Sequence, residues 1–289
     1  MFETRLKEAA TQVEAHLLEV MAPFGDLPVV DAMRYASAGG KRLRAFLVLE
    51  SARLHGVDPK QAIWPATAIE AMHAYSLVHD DLPCMDDDNI RRGLPTTHIK
   101  WDECTAVLAG DALQTLAFEC VSRDECHEDS AVRAELTVSL ARAAGAQGMV
   151  LGQALDIAAE TAPVPLTLEE ITRLQAGKTG ALIAWSATAG AVMGKADIEP
   201  LMRYSLDLGL AFQIADDILD VEGDAEKVGK AVGKDADAGK ATFVSLLGLD
   251  GAKQRAQSLV SDACDALDVY GDAADCLREA ARFVISRDN

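Results

Sequence analysis

Positive charge is what this sequence has least of: 27 Lys and Arg stand against 46 Asp and Glu, a net charge of -19. A general nucleic-acid binder needs a basic face to meet phosphates, so that class is excluded. An acidic chain that handles an anionic substrate needs metal ions or a local cluster of cations to reverse the field. Paired cysteines are missing too. Cys84, Cys104, Cys120, Cys126, Cys264 and Cys276 are scattered without a C-x-x-C spacing, so neither a zinc knuckle nor a disulfide framework is indicated, and reduced thiols in a cytoplasm are expected. Long apolar runs are lacking: the uncharged stretch 179–194 falls short of the roughly 20 residues of a membrane span. The first ten residues carry Glu3, Arg5, Lys7 and Glu8 and show no apolar signal core.

Strand-period alternation, linkers and internal repeats are absent as well, and what remains reads as helix. Hydrophobic residues make up 49% of 289, enough for a sizeable core. Apolar residues recur three and four apart, as on a helix face. Helices are predicted over 2–21, 41–55, 60–82 (interrupted by Pro65), 103–121, 130–144 and 147–158. Thr167-Leu-Glu-Glu170 has capping-box spacing and opens another. The stretches 181–193 and 198–221 are apolar around their circumference and are expected to be buried centrally. Residues 221–240, with Gly223, Gly229, Gly233 and Gly239, read as a mobile loop. Two more helices, parted near Gly271, finish a single all-α domain over 1–289.

Two aspartate-rich segments carry the chemistry. In His79-Asp-Asp-Leu-Pro-Cys-Met-Asp-Asp-Asp-Asn89, five of eleven residues are Asp, a cluster whose mutual repulsion calls for cations. Carboxylate oxygens are hard ligands suited to magnesium, which takes one or two of them and completes its shell with water and substrate phosphates. Alone, the segment reads equally as a solvated acidic loop closing a helix. In Phe212-Gln-Ile-Ala-Asp-Asp-Ile-Leu-Asp220 the acids lie three and four apart on one face of an apolar helix, where burial without a metal or other partner is costly. Two such clusters in one all-α chain suggest facing helices that clamp a metal–diphosphate unit.

Local cations supply the complement. Gly39-Gly-Lys-Arg-Leu-Arg44 puts three of them at a helix start, where backbone N–H groups also favour anions. Arg91-Arg-Gly93 follows the first acidic segment, Lys178-Thr-Gly180 opens the 181–193 helix, and Lys230, Lys234 and Lys240 lie in the glycine-rich stretch. Each alone could be an ordinary solvated face.

At these residues the sequence resembles the trans-prenyl diphosphate synthases, the bacterial farnesyl group in particular. The motifs are G-G-K-R-x-R, H-D-D-L-P-C-M-D with R-R-G, G-Q-x-x-D, K-T-G and F-Q-x-x-D-D-x-x-D, in that order from about Lys41 to Lys240. The resemblance implies an isoprenoid-synthase helical bundle with a central cavity between helices. It implies that Asp80, Asp81 and Asp86, with Asp216, Asp217 and Asp220, bind magnesium, three ions per site, around an allylic diphosphate. Arg91 matches an allylic-diphosphate ligand; Lys41, Arg44, His73 and Arg92 match an isopentenyl diphosphate site. Lys178, Thr179 and Gln213 match the reaction centre, Lys240 an allylic-diphosphate contact, and Gln153 and Asp156 a supporting pair. A cytoplasmic homodimer is the family habit. Val244 stands where many relatives have Pro.

Product length turns on the helix before the first acids. Tyr75 and Ser76 lie five and four residues before Asp80, roughly 6–8 Å along a helix, where a growing tail would descend. A bulky Tyr75 could form the floor while Ser76 leaves room; with the Pro83-Cys84 insertion, the resemblance favours a fifteen-carbon product. A geranylgeranyl diphosphate synthase is the alternative. A class I terpene cyclase would not need the Gly39–Arg44 and Arg92 cations for a second diphosphate. A non-catalytic synthase subunit is expected to have lost one acidic cluster, and both are intact.

Overall fold

The computed structural model describes residues 1–222 and 241–286, which are helical outside short connections. They divide into two compact units: residues 3–138 with 189–196, and residues 139–188 with those from 197 onward.

The first unit contains α1 (Phe2–Met21), α2 (Pro28–Ala36), α3 (Leu43–Leu54), α4 (Pro59–Asp80), α5 (Thr97–Lys100), α6 (Glu103–Ser122) and most of α7 (Ser130–Ala144). Helix α4 is its spine because it is apolar all round: Ala66, Ala68, Ile69, Ala71 and Met72 are fully buried. Its start is set by Asp58, whose carboxylate accepts the Lys60 N–H at 2.9 Å, with Pro59 in the first turn. Pro65 does not interrupt it as expected; the helix runs through, with tertiary packing on every side. Helix α6 packs along α4 so closely at Gly110 that a Cβ there would lie 2.1 Å from His79 Nε2. By length and composition α6 is apolar enough to cross a membrane. One face of it, with Ala106, Ala109, Gly110 and Leu113, is buried in this unit, while Val107 and Leu108 are exposed.

In the second unit are α8 (Met149–Glu160), α9 (Leu168–Gln175), a π-helical turn (Ala176–Gly180), α10 (Ala181–Met193, its end belonging to the first unit), α11 (Glu199–Glu222), α12 (Phe243–Leu247), α13 (Leu249–Ala266) and α14 (Asp275–Ser286). The capping box at α9 forms as the spacing predicts: Thr167 Oγ1 accepts the Glu170 N–H, and Glu170 Oε2 accepts the Thr167 N–H at 2.8 Å. Gly271, at φ 53°, parts the last two helices where expected.

Further differences separate the structure from the sequence expectation. A two-stranded hairpin, β1 (Ile90–Arg91) with β2 (Leu94–Pro95), turns on Arg92 and Gly93 at φ 52° and 74°. Two-residue strands leave no alternation to detect, while positive φ at both turn residues is a hairpin signature. The short helix α2 was not anticipated. The buried positions of helix α11 end at Ala215, with Arg203 and Leu206 exposed before it; Asp216 is exposed and Asp217 and Asp220 half-buried. The cost of burying three acids is therefore smaller than the apolar sequence suggested.

Candidate active site

In the first unit, cations gather at the loop before α3. Gly39 and Gly40 adopt φ 69° and 89°, and Arg42 adopts φ 55°. Lys41 is exposed and Arg44 half-buried in the first turn of α3. Arg42 departs from the expected role. Its side chain is 3% exposed, with Nη1 3.2 Å from Glu70 Oε2 and Nη2 donating to the Ser37 carbonyl. Glu70 Oε1 also accepts the Ala45 N–H at 3.0 Å, so a protein carboxylate already occupies one donor of this helix N-terminus.

The hairpin brings two more arginines. Arg92 Nη1 donates to the Ala38 carbonyl at 3.1 Å, and a Cβ on Gly40 would lie 2.9 Å from its guanidinium. Burial and the charge of Arg42 draw the Arg92 pKa down. His73, on α4, sits in this field. Burial, then Arg44, Arg92, Arg91 and Arg42, hold its pKa well below 6.5, so it is neutral at physiological pH and can both donate and accept. Arg44, His73 and Arg92, with Arg91 and Arg42, thus belong to one cationic corner, and Lys41 is exposed on the loop that leads into it.

The first acidic segment follows α4. Asp80 is the last helical residue, and its carbonyl accepts the Asp86 N–H at 2.8 Å, folding the segment back on itself. Asp81 is buried, with both oxygens engaged by Arg91, while Asp86 is exposed. Burial alone would lower the Arg91 pKa; the hydrogen bond and charge of Asp81, with Asp88 and Asp80, raise it overall. Tyr75 is 7% exposed, edge-on to His79 with ring centroids 5.4 Å apart. Gln114 hydrogen-bonds its hydroxyl. Ser76 Oγ donates to the His73 carbonyl at 2.9 Å.

In the second unit, Lys178 and Thr179 lie on the π-helical turn between α9 and α10. Lys178 Nζ is 2.6 Å from Asp156 Oδ2, which gives the acid of G-Q-x-x-D a definite partner. Helix α8 reaches this turn because residue 152 is glycine: a Cβ there would lie 2.0 Å from the Lys178 amide nitrogen. Gln153 Nε2 is buried and has no hydrogen-bond partner among the described residues. Gln213 is half-buried on α11. Asp217 Oδ2 accepts the Phe243 N–H at 2.7 Å, tying α11 to the start of α12. Lys240, with Lys230 and Lys234, lies outside the described residues.

Among the described residues, no group of three or more His, Cys, Asp or Glu is gathered as a ready metal cage. The donor set still fits magnesium, which binds through one or two carboxylates and takes the rest of its shell from phosphates and water. Asp81 is the exception, committed to Arg91 as it stands.

Sequence reasoning missed Glu70 and Gln114. Glu70 had a signal: it is the single Asp, Glu, Lys or Arg between Lys60 and Asp80 on α4, one turn before His73, and a lone buried charge requires a partner. Gln114 had none.

The chain belongs to the polyprenyl synthetase family, whose sequence profile matches residues 28–276. It is 43% identical to the farnesyl diphosphate synthase of Escherichia coli (strain K12), over 99% of each chain. It is 45% identical to that of Haemophilus influenzae, over 90% of this chain and 89% of the other. Among solved structures, an FPP/GFPP synthase from Zymomonas mobilis superposes with a TM-score of 0.89 at 46% identity, covering 98% of both chains.

Proposed function

We propose that the chain condenses isopentenyl diphosphate with dimethylallyl and then geranyl diphosphate, stopping at the fifteen-carbon farnesyl diphosphate. The observation that carries the reading is the cationic corner of the first unit, where Arg44, Arg91 and Arg92 surround a neutral His73 in a chain of net charge -19. That is the local field reversal a diphosphate substrate needs.

In this reading Lys41, Arg44, His73 and Arg92 hold the isopentenyl diphosphate, and Arg91 meets the allylic diphosphate beside Asp80–Asp86. Asp80, Asp81, Asp86, Asp216, Asp217 and Asp220 would hold magnesium, which when bound would supply charge neutralisation for the departing diphosphate. The cations of the chain aid the same departure because charge accumulates on the diphosphate oxygens as the allylic C–O bond breaks. The isopentenyl double bond then attacks the allylic carbon, forming the new C–C bond, and a proton leaves, with the released diphosphate as its acceptor. Lys178, Thr179 and Gln213 are assigned to the reacting carbons and Lys240 to the allylic diphosphate. The reaction requires that water be kept from the cation. Asp156 holds Lys178 in place at 2.6 Å.

We place this enzyme in the cytoplasm as a homodimer. The test is incubation with isopentenyl and dimethylallyl diphosphates and magnesium, then chromatography of the dephosphorylated alcohols. Farnesol is expected. Geranylgeraniol would identify the twenty-carbon alternative, and no elongated alcohol would overturn the reading.

A further inference from the structure

Three cations occupy Gly39–Arg44, and one of them is buried. Arg42 is turned into the protein, 3% exposed, and its guanidinium is shared between Glu70 Oε2 and the Ser37 carbonyl. Its backbone is left-handed, a conformation that side-chain-bearing residues avoid unless their surroundings impose it. Glu70 is as buried as Arg42, and its other oxygen accepts the Ala45 N–H at 3.0 Å. One carboxylate therefore fixes both the Arg42 side chain and the first turn of α3, on either side of the bend. Lys41 precedes that bend and Arg44 follows it. From the other flank, Arg92 donates to the Ala38 carbonyl and lies against Gly40.

We propose that the buried Arg42–Glu70 pair is a positioning device that sets the direction of Lys41 and Arg44 toward the isopentenyl diphosphate. Neither residue touches the substrate; both act through the loop. The inference rests on the diphosphate assignment made above. A structural ion pair would stabilise the fold without selecting between substrates. A positioning pair makes binding of one diphosphate depend on it and leaves the other alone.

The sign of one substitution separates these. Glu70→Gln removes a negative charge beside Arg42, Arg92 and His73, so by field alone it should tighten an anion. Loss of a charge-assisted anchor should instead loosen it. The measurements are melting temperature, kcat and KM for each substrate, on Glu70→Gln and on Arg42→Met with Glu70→Leu. The double variant replaces the buried pair with apolar side chains and leaves no unpaired charge. In both, KM for isopentenyl diphosphate is expected to rise, in the double variant roughly ten- to a hundredfold, while KM for geranyl diphosphate stays within about twofold and kcat falls less than KM rises. A folded double variant with unchanged KM for isopentenyl diphosphate overturns the proposal, as does a lowered or unchanged KM in Glu70→Gln, which also decides the matter should the double variant not fold. Lys41→Met separates the two levels. If it leaves that KM unchanged, the diphosphate assignment fails and takes the inference with it. If it raises KM while the Arg42 and Glu70 variants do not, only the positioning role fails.

Discussion

Arg91 Nη2 lies 2.6 Å from Asp81 Oδ1, and Arg91 Nε lies 2.8 and 2.9 Å from the two Asp81 oxygens. The carboxylate that a metal would use is thus already bound, in two-pronged fashion, by the cation assigned to the substrate diphosphate. Such bidentate pairs are among the stronger charge-assisted contacts. In the proposed mechanism Arg91 and magnesium would therefore compete for Asp81 until a diphosphate engages both.

Arg91→Gln is accordingly expected to move two affinities in opposite directions. Magnesium alone should bind more tightly, since Asp81 is released. A non-reactive allylic diphosphate analogue should bind about tenfold or more weakly for want of one charged contact. Isothermal titration with each, at fixed ionic strength, reads both. Magnesium affinity unchanged by the substitution would show that the pair does not gate the metal.

His73 gives a pH dependence whose sign is fixed. Its folded pKa is held well below 6.5 by burial and four arginines, so the unfolded chain takes up the proton first as pH falls. Stability is therefore full above about pH 6.5 and declines below it, by up to about 1.4 kcal/mol per pH unit for this group. His73→Gln removes that contribution. Denaturant unfolding at pH 7.5 and 5.5 should show a smaller acid loss in the variant. His16, also lowered by burial, is common to both proteins and cancels. Equal acid losses would mean that His73 is already protonated in the fold.

The order of the long helices was legible from the sequence because they carry their own signals, such as the Thr167 capping box, the Gly271 break and the apolar run of 181–193; the short α2, α5 and α12 were not anticipated. The acids and cations of the site were legible as residue types in fixed spacing. Their present partners were not, because Arg91 to Asp81, Arg42 to Glu70 and Lys178 to Asp156 are tertiary choices among several nearby charges. Sequence pattern identifies the Lys41–Arg44 cluster only by composition; it cannot say that Arg42 turns inward while Lys41 stays exposed. The burial of α11 was overread for a related reason. An apolar circumference predicts burial for a whole helix, yet Arg203 and Leu206 are exposed in its first half and the last two turns, with Asp216 to Asp220, emerge from the core.

Tyr75 is where product length should respond. It is buried, wedged edge-on against His79 and hydrogen-bonded by Gln114, so its ring cannot swing aside for a longer tail without breaking both contacts. Tyr75→Ala is expected to shift product toward twenty carbons and beyond, with a stability cost of about 3–5 kcal/mol typical of large aromatic truncations. Ser76→Phe should shorten the product. Chromatography of alcohols made from labelled isopentenyl diphosphate measures both, and unchanged product length in the two variants removes Tyr75 as the floor.

Gly152 sets how closely α8 can approach the turn that carries Lys178 and Thr179. On helix propensity alone, Gly152→Ala should stabilise α8 by about 1 kcal/mol. Against this, the new Cβ would meet the Lys178 amide nitrogen at 2.0 Å and its Cα at 2.5 Å. Those atoms are backbone and cannot rotate away, so the helices must separate, at a cost of about 1–3 kcal/mol or more. The clash outweighs the propensity, and a net loss of a few degrees in melting temperature is expected. The catalytic effect should be larger, because the turn that moves carries Lys178 with its 2.6 Å contact to Asp156. A displacement on the order of 1 Å at such a group costs about a hundredfold in rate. Thermal unfolding and steady-state kinetics on Gly152→Ala test both parts together. A raised melting temperature with unimpaired kcat would show that propensity wins and that the close approach is not required.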